Sequence, residues 1–264
     1  MTHRAIKGKS GNGSDRSDFS QLAQVYDDLR PQTESWWALF DELVRLGDLR
    51  GQRVLEVGCG TGTLAAALAE RELAKVWAID REPAMVEQAQ ARLPGGARAR
   101  VAECEALPFK DAWFDRAVMR LVVHHLDRPR AFAEVKRVLT PEGRVVIATI
   151  DAPTVADTWF NVFFPSALTH DEDRFAPAEV LEEELREAGF ARAESIVFVQ
   201  EERFPREQAL AKLRGRFVSS LEVVPDDELA EGIARAEREL PDVLVRPLHW
   251  RLVVGVTARE GLTK

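Results

Sequence analysis

The chain has 264 residues, 45% of them hydrophobic and 30% charged, with a formal net charge of −8, which suits one sizeable α/β domain with additions and is short for two. An acidic total without a dense Lys/Arg tract argues against a nucleic acid as the main partner, and no apolar run reaches membrane-spanning length. Cys59 and Cys104 make no disulfide framework, and Met1-Thr-His-Arg-Ala-Ile-Lys7 lacks the apolar core of a signal peptide, so a cytoplasmic protein is expected.

Residues 1–18 carry Gly, Ser, Asp, Lys and Arg with almost nothing to bury, and read as a disordered tail. Phe19, Leu22, Tyr26 and Leu29 recur at helical spacing until Pro31. A second helix follows from Thr33 to Leu46, with Trp36, Phe40, Leu43 and Val44 on one side. Strand and helix then alternate over 52–57, 63–71, 75–79, 83–93, 98–102, 115–121, 129–139 and 143–149, which implies right-handed crossovers and a parallel sheet. After Thr149 the rhythm breaks, and 151–175 hold Trp159, Phe160, Phe163 and Phe164 among scattered Asp and His. A helix over 177–188 opens on Pro177 and ends at Gly189. It leads to a strand from Ala193 to Gln200, two amphipathic stretches over 205–217 and 226–239, and a last apolar strand over 248–257.

The segment Val54-Leu-Glu-Val-Gly-Cys-Gly-Thr-Gly-Thr-Leu64 joins the first strand to its helix. Gly58, Gly60 and Gly62 let the backbone turn tightly beside a ligand, and the helix that follows turns its free N–H groups to the same place. Asp80 ends the second strand, where a carboxylate can accept from both hydroxyls of a ribose. A nucleoside-containing ligand is therefore expected. A dinucleotide site would need G-x-G-x-x-G, but Thr63 stands at the third glycine, and Glu56 before the loop suits a cationic ligand better than a pyrophosphate. These two residues disfavour a nucleotide-dependent oxidoreductase.

E-x-G-x-G-x-G over Glu56–Gly62 resembles the first motif of the class I S-adenosylmethionine-dependent methyltransferases. Further segments keep the family's order: Asp80-Arg-Glu-Pro-Ala-Met-Val86, Glu103-Cys-Glu-Ala-Leu-Pro-Phe109, Phe114 to Leu126 with its His-His-Leu exit, and Leu139-Thr-Pro-Glu-Gly-Arg-Val-Val-Ile147. The match covers roughly 20–150 and is most similar to the ubiquinone-biosynthesis-like small-molecule group. Glu103 replaces the family's usual Asp, and Arg120 fills a position that is usually small and neutral. The resemblance implies a doubly wound, seven-stranded, mostly parallel sheet with a helical cover over 19–47 and a helical insertion over 201–245, inside one domain from 19 to 264.

It also implies the cofactor, S-adenosyl-L-methionine, and a role for each residue around it. Asp80 bridges the ribose, Glu103 and the Cys104 amide take the adenine edge, and Met85 offers the adenine face an apolar surface or simply fills core. Glu56 lies near the methionyl ammonium, and Arg81, Arg120 and Leu121 complete the cofactor wall. Tyr26 and Arg30 share one face of the first helix; either they cover the cofactor, with Arg30 on the methionyl carboxylate, or they are a half-buried Tyr and a solvated Arg. His124 and His125 leave the fourth strand toward the acceptor, as a catalytic base or as pocket lining, and no third ligand makes them a metal site. The acceptor is expected to be a small molecule methylated at O, N or C, since N-P-P-aromatic and Pro-Cys signatures of nucleobase methylation are absent. A protein or tRNA acceptor, or a binding protein that methylates nothing, are the alternatives, and the oligomeric state is left open.

Overall fold

Branched apolar residues alternating with short glycine-bearing turns fold here into one twisted sheet. The computed structural model describes residues 26–257; the expected tail and the expected helical residues Phe19 and Leu22 lie outside them. The strands are β1 (Arg53–Val57), β2 (Lys75–Asp80), β3 (Arg98–Val101), β4 (Phe114–Arg120), β5 (Leu139–Ile150), β6 (Arg192–Pro205) and β7 (Val243–Val256), in the order β3-β2-β1-β4-β5-β7-β6. β1 to β5 pair in parallel, while β7 runs antiparallel to both β5 and β6. The expected doubly wound, mostly parallel sheet is the sheet observed.

The helices are α1 (Tyr26–Leu29), α2 (Glu34–Gly47), α3 (Thr63–Arg71), α4 (Pro83–Arg92), α5 (Arg128–Val138), α6 (Pro165–Arg174), α7 (Ala178–Glu187), α8 (Arg206–Arg214) and α9 (Asp226–Glu239). Thr33 caps α2 by accepting the Trp36 N–H at 3.4 Å, which starts the helix directly after the Pro31 turn. The pleat sends successive side chains to opposite faces, and both faces are apolar. Val54, Val118 and Val146 pack under Leu39, Phe40 and Leu43 of α2. Leu55, Val57 and Met119 pack on the other face against Phe132 of α5 and Leu181 of α7. A third core, built from Trp159, Phe164, Leu210, Leu213 and Leu240, lies among the segments after β5 and around α8 and α9.

Two features depart from the sequence expectation. The segment 151–175 ends in a regular helix, α6, whose buried positions are only Ala167 and Asp171, so no apolar stripe announces it. β6 and β7 also run further than propensity suggests, pairing as far as Pro205 with Val243. Cross-strand pairing overrides the weak strand preference of Glu201, Glu202 and Arg203.

Candidate active site

A cavity of about 810 Å³ opens at the carboxyl ends of β1 to β4 and continues beneath the segments after β5. That volume lies within the range of small-molecule sites, and the place is where an open α/β sheet binds ligands. The lining includes Gly58, Gly60, Asp80, Arg81, Met85, Glu103 and Cys104, from the end of β2, the loops after β1, β2 and β3 and the first turn of α4. Arg30, Arg120, Leu121, His124 and His125 line it as well. The structure thus brings together most of the residues that the sequence singles out.

Two of them stand elsewhere, and the side chain of a third is not described. Glu56 does not line the cavity; it is 3% exposed beneath the loop, with Oε2 buried and without a partner. Gly62 faces α4, where an added Cβ would lie 2.9 Å from the Ala89 Cβ, so its lack of a side chain serves helix packing. The Tyr26 side chain lies outside the described residues, although its backbone begins α1.

The loop is held from both sides. Asp80 Oδ2 accepts the Gly60 N–H at 2.8 Å, and its Oδ1 accepts the Glu82 N–H at 3.0 Å. At Gly58, with φ +69, an added Cβ would stand 2.4 Å from Val122 Cγ2, whereas at Gly60 it would meet nothing within 4 Å. Gly60 therefore presents bare backbone to the cavity. On the outer side, Asp27 of α1 accepts the Thr61 hydroxyl at 2.7 Å and pairs with Arg92 at the end of α4. Burial opposes ionisation of Asp27, but hydrogen bonds from Arg92 and Thr61 outweigh it and hold the carboxyl below its usual range.

Electrostatics differ sharply across the cavity. Burial pushes the Glu56 carboxyl up to about 8; Arg120 opposes the rise and Asp80 adds to it. Burial also raises the thiols of Cys59 and Cys104 and keeps them protonated. The same effect lowers the imidazoles: His125 falls to about 3, and His124 lies well below its ordinary value. His124 rests between His125 at 4.2 Å and Phe175 at 4.4 Å, measured between ring centroids. Leu121 leaves β4 with φ +53, a left-handed conformation that costs a branched residue about 1–3 kcal/mol and recurs at ligand sites.

Several cavity residues gave no sequence signal. Trp250, read only as part of an apolar strand, faces the cavity, donates its Nε1–H to Gln200 Oε1 at 2.7 Å and lies 5.6 Å below Arg120. Arg30, which the sequence does single out, donates from Nε to the carbonyl of Phe217, a residue with no such signal, at 3.1 Å and ties the end of the α1 segment to the insertion after α8. Arg174, Ser219 and Ser220 arrive from segments with no motif at all.

Such a sheet, with a glycine loop, an acid and a cavity at its carboxyl edge, defines a doubly wound α/β protein whose ligand site is expected at that edge. Comparison with known proteins narrows the class. The Methyltransferase domain model matches residues 55–147. The O-methyltransferase cnsE of Penicillium expansum is 35% identical over 160 residues, covering 56% of this chain and 55% of cnsE. Demethylmenaquinone methyltransferase of Clavibacter sepedonicus is 32% identical over 205 residues, covering 67% of this chain and 82% of that protein. The chain spans between 50% and 60% of the length of four curated methyltransferases, cnsE among them.

Among solved structures, an Anabaena variabilis protein described as a methyltransferase from an antibiotic biosynthesis pathway superposes with a TM-score of 0.71 at 21% identity, over 83% of this chain and 96% of that one. A Haemonchus contortus N-methyltransferase in complex with S-adenosylhomocysteine gives 0.59 at 18% identity, over 91% and 58%. The chain belongs to the methyltransferase-domain family, and its fold is the Rossmann-like fold of class I methyltransferases.

Proposed function

We propose that the protein is an S-adenosylmethionine-dependent methyltransferase acting on a small-molecule acceptor. The observation that carries this reading is the meeting of Gly60's bare backbone, Asp80 and Glu103 at one end of a cavity that extends well past them. The residues fit the donor. Each Asp80 oxygen accepts one backbone N–H and keeps a further lone pair for a ribose hydroxyl. Glu103 and the Cys104 amide would hold the adenine edge and Met85 its face, with Arg81 and Leu121 completing the wall; all five line the cavity. Glu56 lies beneath the loop as a buried carboxyl whose Oε2 has no partner, suited to the field of a cationic ligand. Arg30 and Tyr26 belong to the cover over the methionyl end, and Arg120 faces the acceptor side with Trp250.

When bound, the donor supplies a methyl carbon already activated by its sulfonium. The chain's own part is then placement and exclusion of water, since a positioned nucleophile near an activated carbon needs no base unless it carries a proton. His124 and His125, held neutral and weakly basic, serve as walls in this reading. Within the same proposal 19–264 is one domain, with its cover over 19–47 and an insertion that shortens from the expected 201–245 to 206–242 because β6 and β7 take up its ends, working in the cytoplasm; among the described residues no helix is long and apolar enough to cross a membrane.

Calorimetry on the full chain tests the reading. S-adenosylhomocysteine should bind, and Asp80→Asn should weaken it about tenfold or more, the loss expected for hydrogen bonds to a charged group. Absence of binding, or tighter binding of NADH, overturns the assignment.

A further inference from the structure

The far half of the cavity belongs to segments that the cofactor reading leaves unused. Trp159 stacks on Phe217 with ring centroids 5.9 Å apart, and Phe160 meets Phe217 edge-on at 5.4 Å, which makes a stiff aromatic panel. Beside it, Arg174 pairs with Asp171 at 2.9 Å and donates to Ser219 Oγ at 2.9 Å. Both side chains are shielded, at 12% and 5% exposure, and both line the cavity. A shielded ion pair is favourable only when surrounding polar groups complete its hydrogen bonding.

The polar groups around this pair are not all satisfied within the chain. Ser220 Oγ and His124 Nδ1 are buried without a partner, and both residues line the cavity. Each unmade bond of this kind costs about 1–3 kcal/mol, and native chains rarely leave them without a reason. Burial does most to disfavour protonation of the two imidazoles, and the cationic groups facing them add to it: Arg174, His170 and Arg30 act on both, and Arg81 on His125. Asp171 is shared between Arg174 and Asn161 Nδ2, the latter at 3.3 Å. A ligand placed here meets a positive field, a hydroxyl and an imidazole seeking partners, and a flat apolar surface.

We propose that the acceptor carries an ionised oxygen, a carboxylate or an acidic phenol or enol, seated against Arg174 and Ser220 with its apolar body on the Trp159–Phe217 panel. The proposal rests on the methyltransferase reading, because it names the acceptor class of the same cavity. It also needs no base from the weakly basic histidine pair, since an acceptor that arrives ionised leaves no proton to remove.

The test is calorimetry on the full chain saturated with S-adenosylhomocysteine, titrated with 1-naphthoate, the neutral isostere 1-naphthamide and ionised 4-nitrophenol. The anions should bind at least about tenfold tighter than the amide, as expected for charge-assisted hydrogen bonds, and the better anion distinguishes carboxylate from phenolate. Ser220→Ala should cut the anion preference severalfold while leaving the melting temperature unchanged or higher, because it deletes a hydroxyl that has no partner; Arg174→Gln should abolish the preference. Equal binding of acid and amide, no binding of any anion, or an anion preference untouched by Ser220→Ala overturns the proposal. Failure of S-adenosylhomocysteine to bind strikes the methyltransferase reading instead, and naphthoate titrated alone still reports on the anion site.

Discussion

Glu56→Gln is the substitution with the most closely defined consequence. The carboxyl is 3% exposed, Oε2 has no partner, and burial raises it from 4.5 in the unfolded chain to about 8 in the fold. The folded state therefore holds this proton more tightly than the unfolded chain does. Stability from the group is complete below pH 4.5, is lost as pH climbs, and levels off above pH 8. At about 1.4 kcal/mol per pH unit, the loss by neutral pH comes to about 3 kcal/mol. Gln mimics the protonated acid, so the variant should be more stable than the parent by that amount at neutral pH and equal to it near about pH 4. Urea denaturation of both proteins across this interval measures the difference, in which every other titrating group cancels. A gap that does not change with pH, or a less stable variant at neutral pH, refutes the reasoning. The same carboxyl should ionise when a cation binds above it. S-adenosylmethionine titrated in buffers of different ionisation enthalpy should then release close to one proton from the parent and none from the variant.

Gly58→Ala should cost at least about 2 kcal/mol in denaturant unfolding, from the left-handed backbone and the contact with Val122 together. Asp27→Asn removes the charge that ties α1 to Arg92 and Thr61. As a partly exposed pair it should cost about 0.5–1 kcal/mol, read by thermal melting, and this loss should shrink in high salt. For His125, held near 3, the rate at saturating S-adenosylmethionine with an identified acceptor should be flat between about pH 5 and 8, and His125→Asn should lower it less than about tenfold; a bell-shaped profile with a limb near neutrality under saturation would restore the base. Gly232→Ala places a Cβ 2.2 Å from the Phe164 ring. It should loosen the packing of α9, speeding hydrogen exchange there while leaving S-adenosylhomocysteine affinity in place.

What was legible in the sequence follows from how local each cause is. The β1–loop–α3 unit is governed by residues within one stretch: branched apolar residues for a doubly buried strand, glycines for the turn and an alanine-rich helix after it. Asp80 could be placed because a parallel sheet with short crossovers delivers the end of each strand to the same edge. Gly62 makes the tight turn expected of it, with φ +79, but spacing could not show that its missing side chain also makes room for Ala89. The ionisation of Glu56 was hidden as well, since it depends on burial in the fold and on Arg120 and Asp80 from other strands, and the residue itself shows only an acid in a strand.

The acceptor half was illegible for a different reason. β5 ends where Ile150 pairs with Trp250, yet β6 and β7 keep pairing beyond that point to Pro205 and Val243. The extra length carries Gln200 and Phe204 past the edge where the parallel strands stop, and both line the cavity. Nothing in the local pattern of Gln200-Glu-Glu-Arg-Phe204 favours a strand; its ladder exists because β7 supplies a partner from far along the chain, and Phe204 is buried with Trp159, Leu210 and Leu213 in the third core. The donor end is built from short-range motifs held on a rigid sheet, whereas the acceptor end is built from long-range pairing and a satellite core. A chain organised in this way can change its acceptor by altering 151–175 and the 206–242 segment while the loop, Asp80 and the parallel strands stay as they are. Acceptor specificity should therefore follow the contacts of Arg174, Ser220 and the aromatic panel, and donor affinity should be insensitive to them.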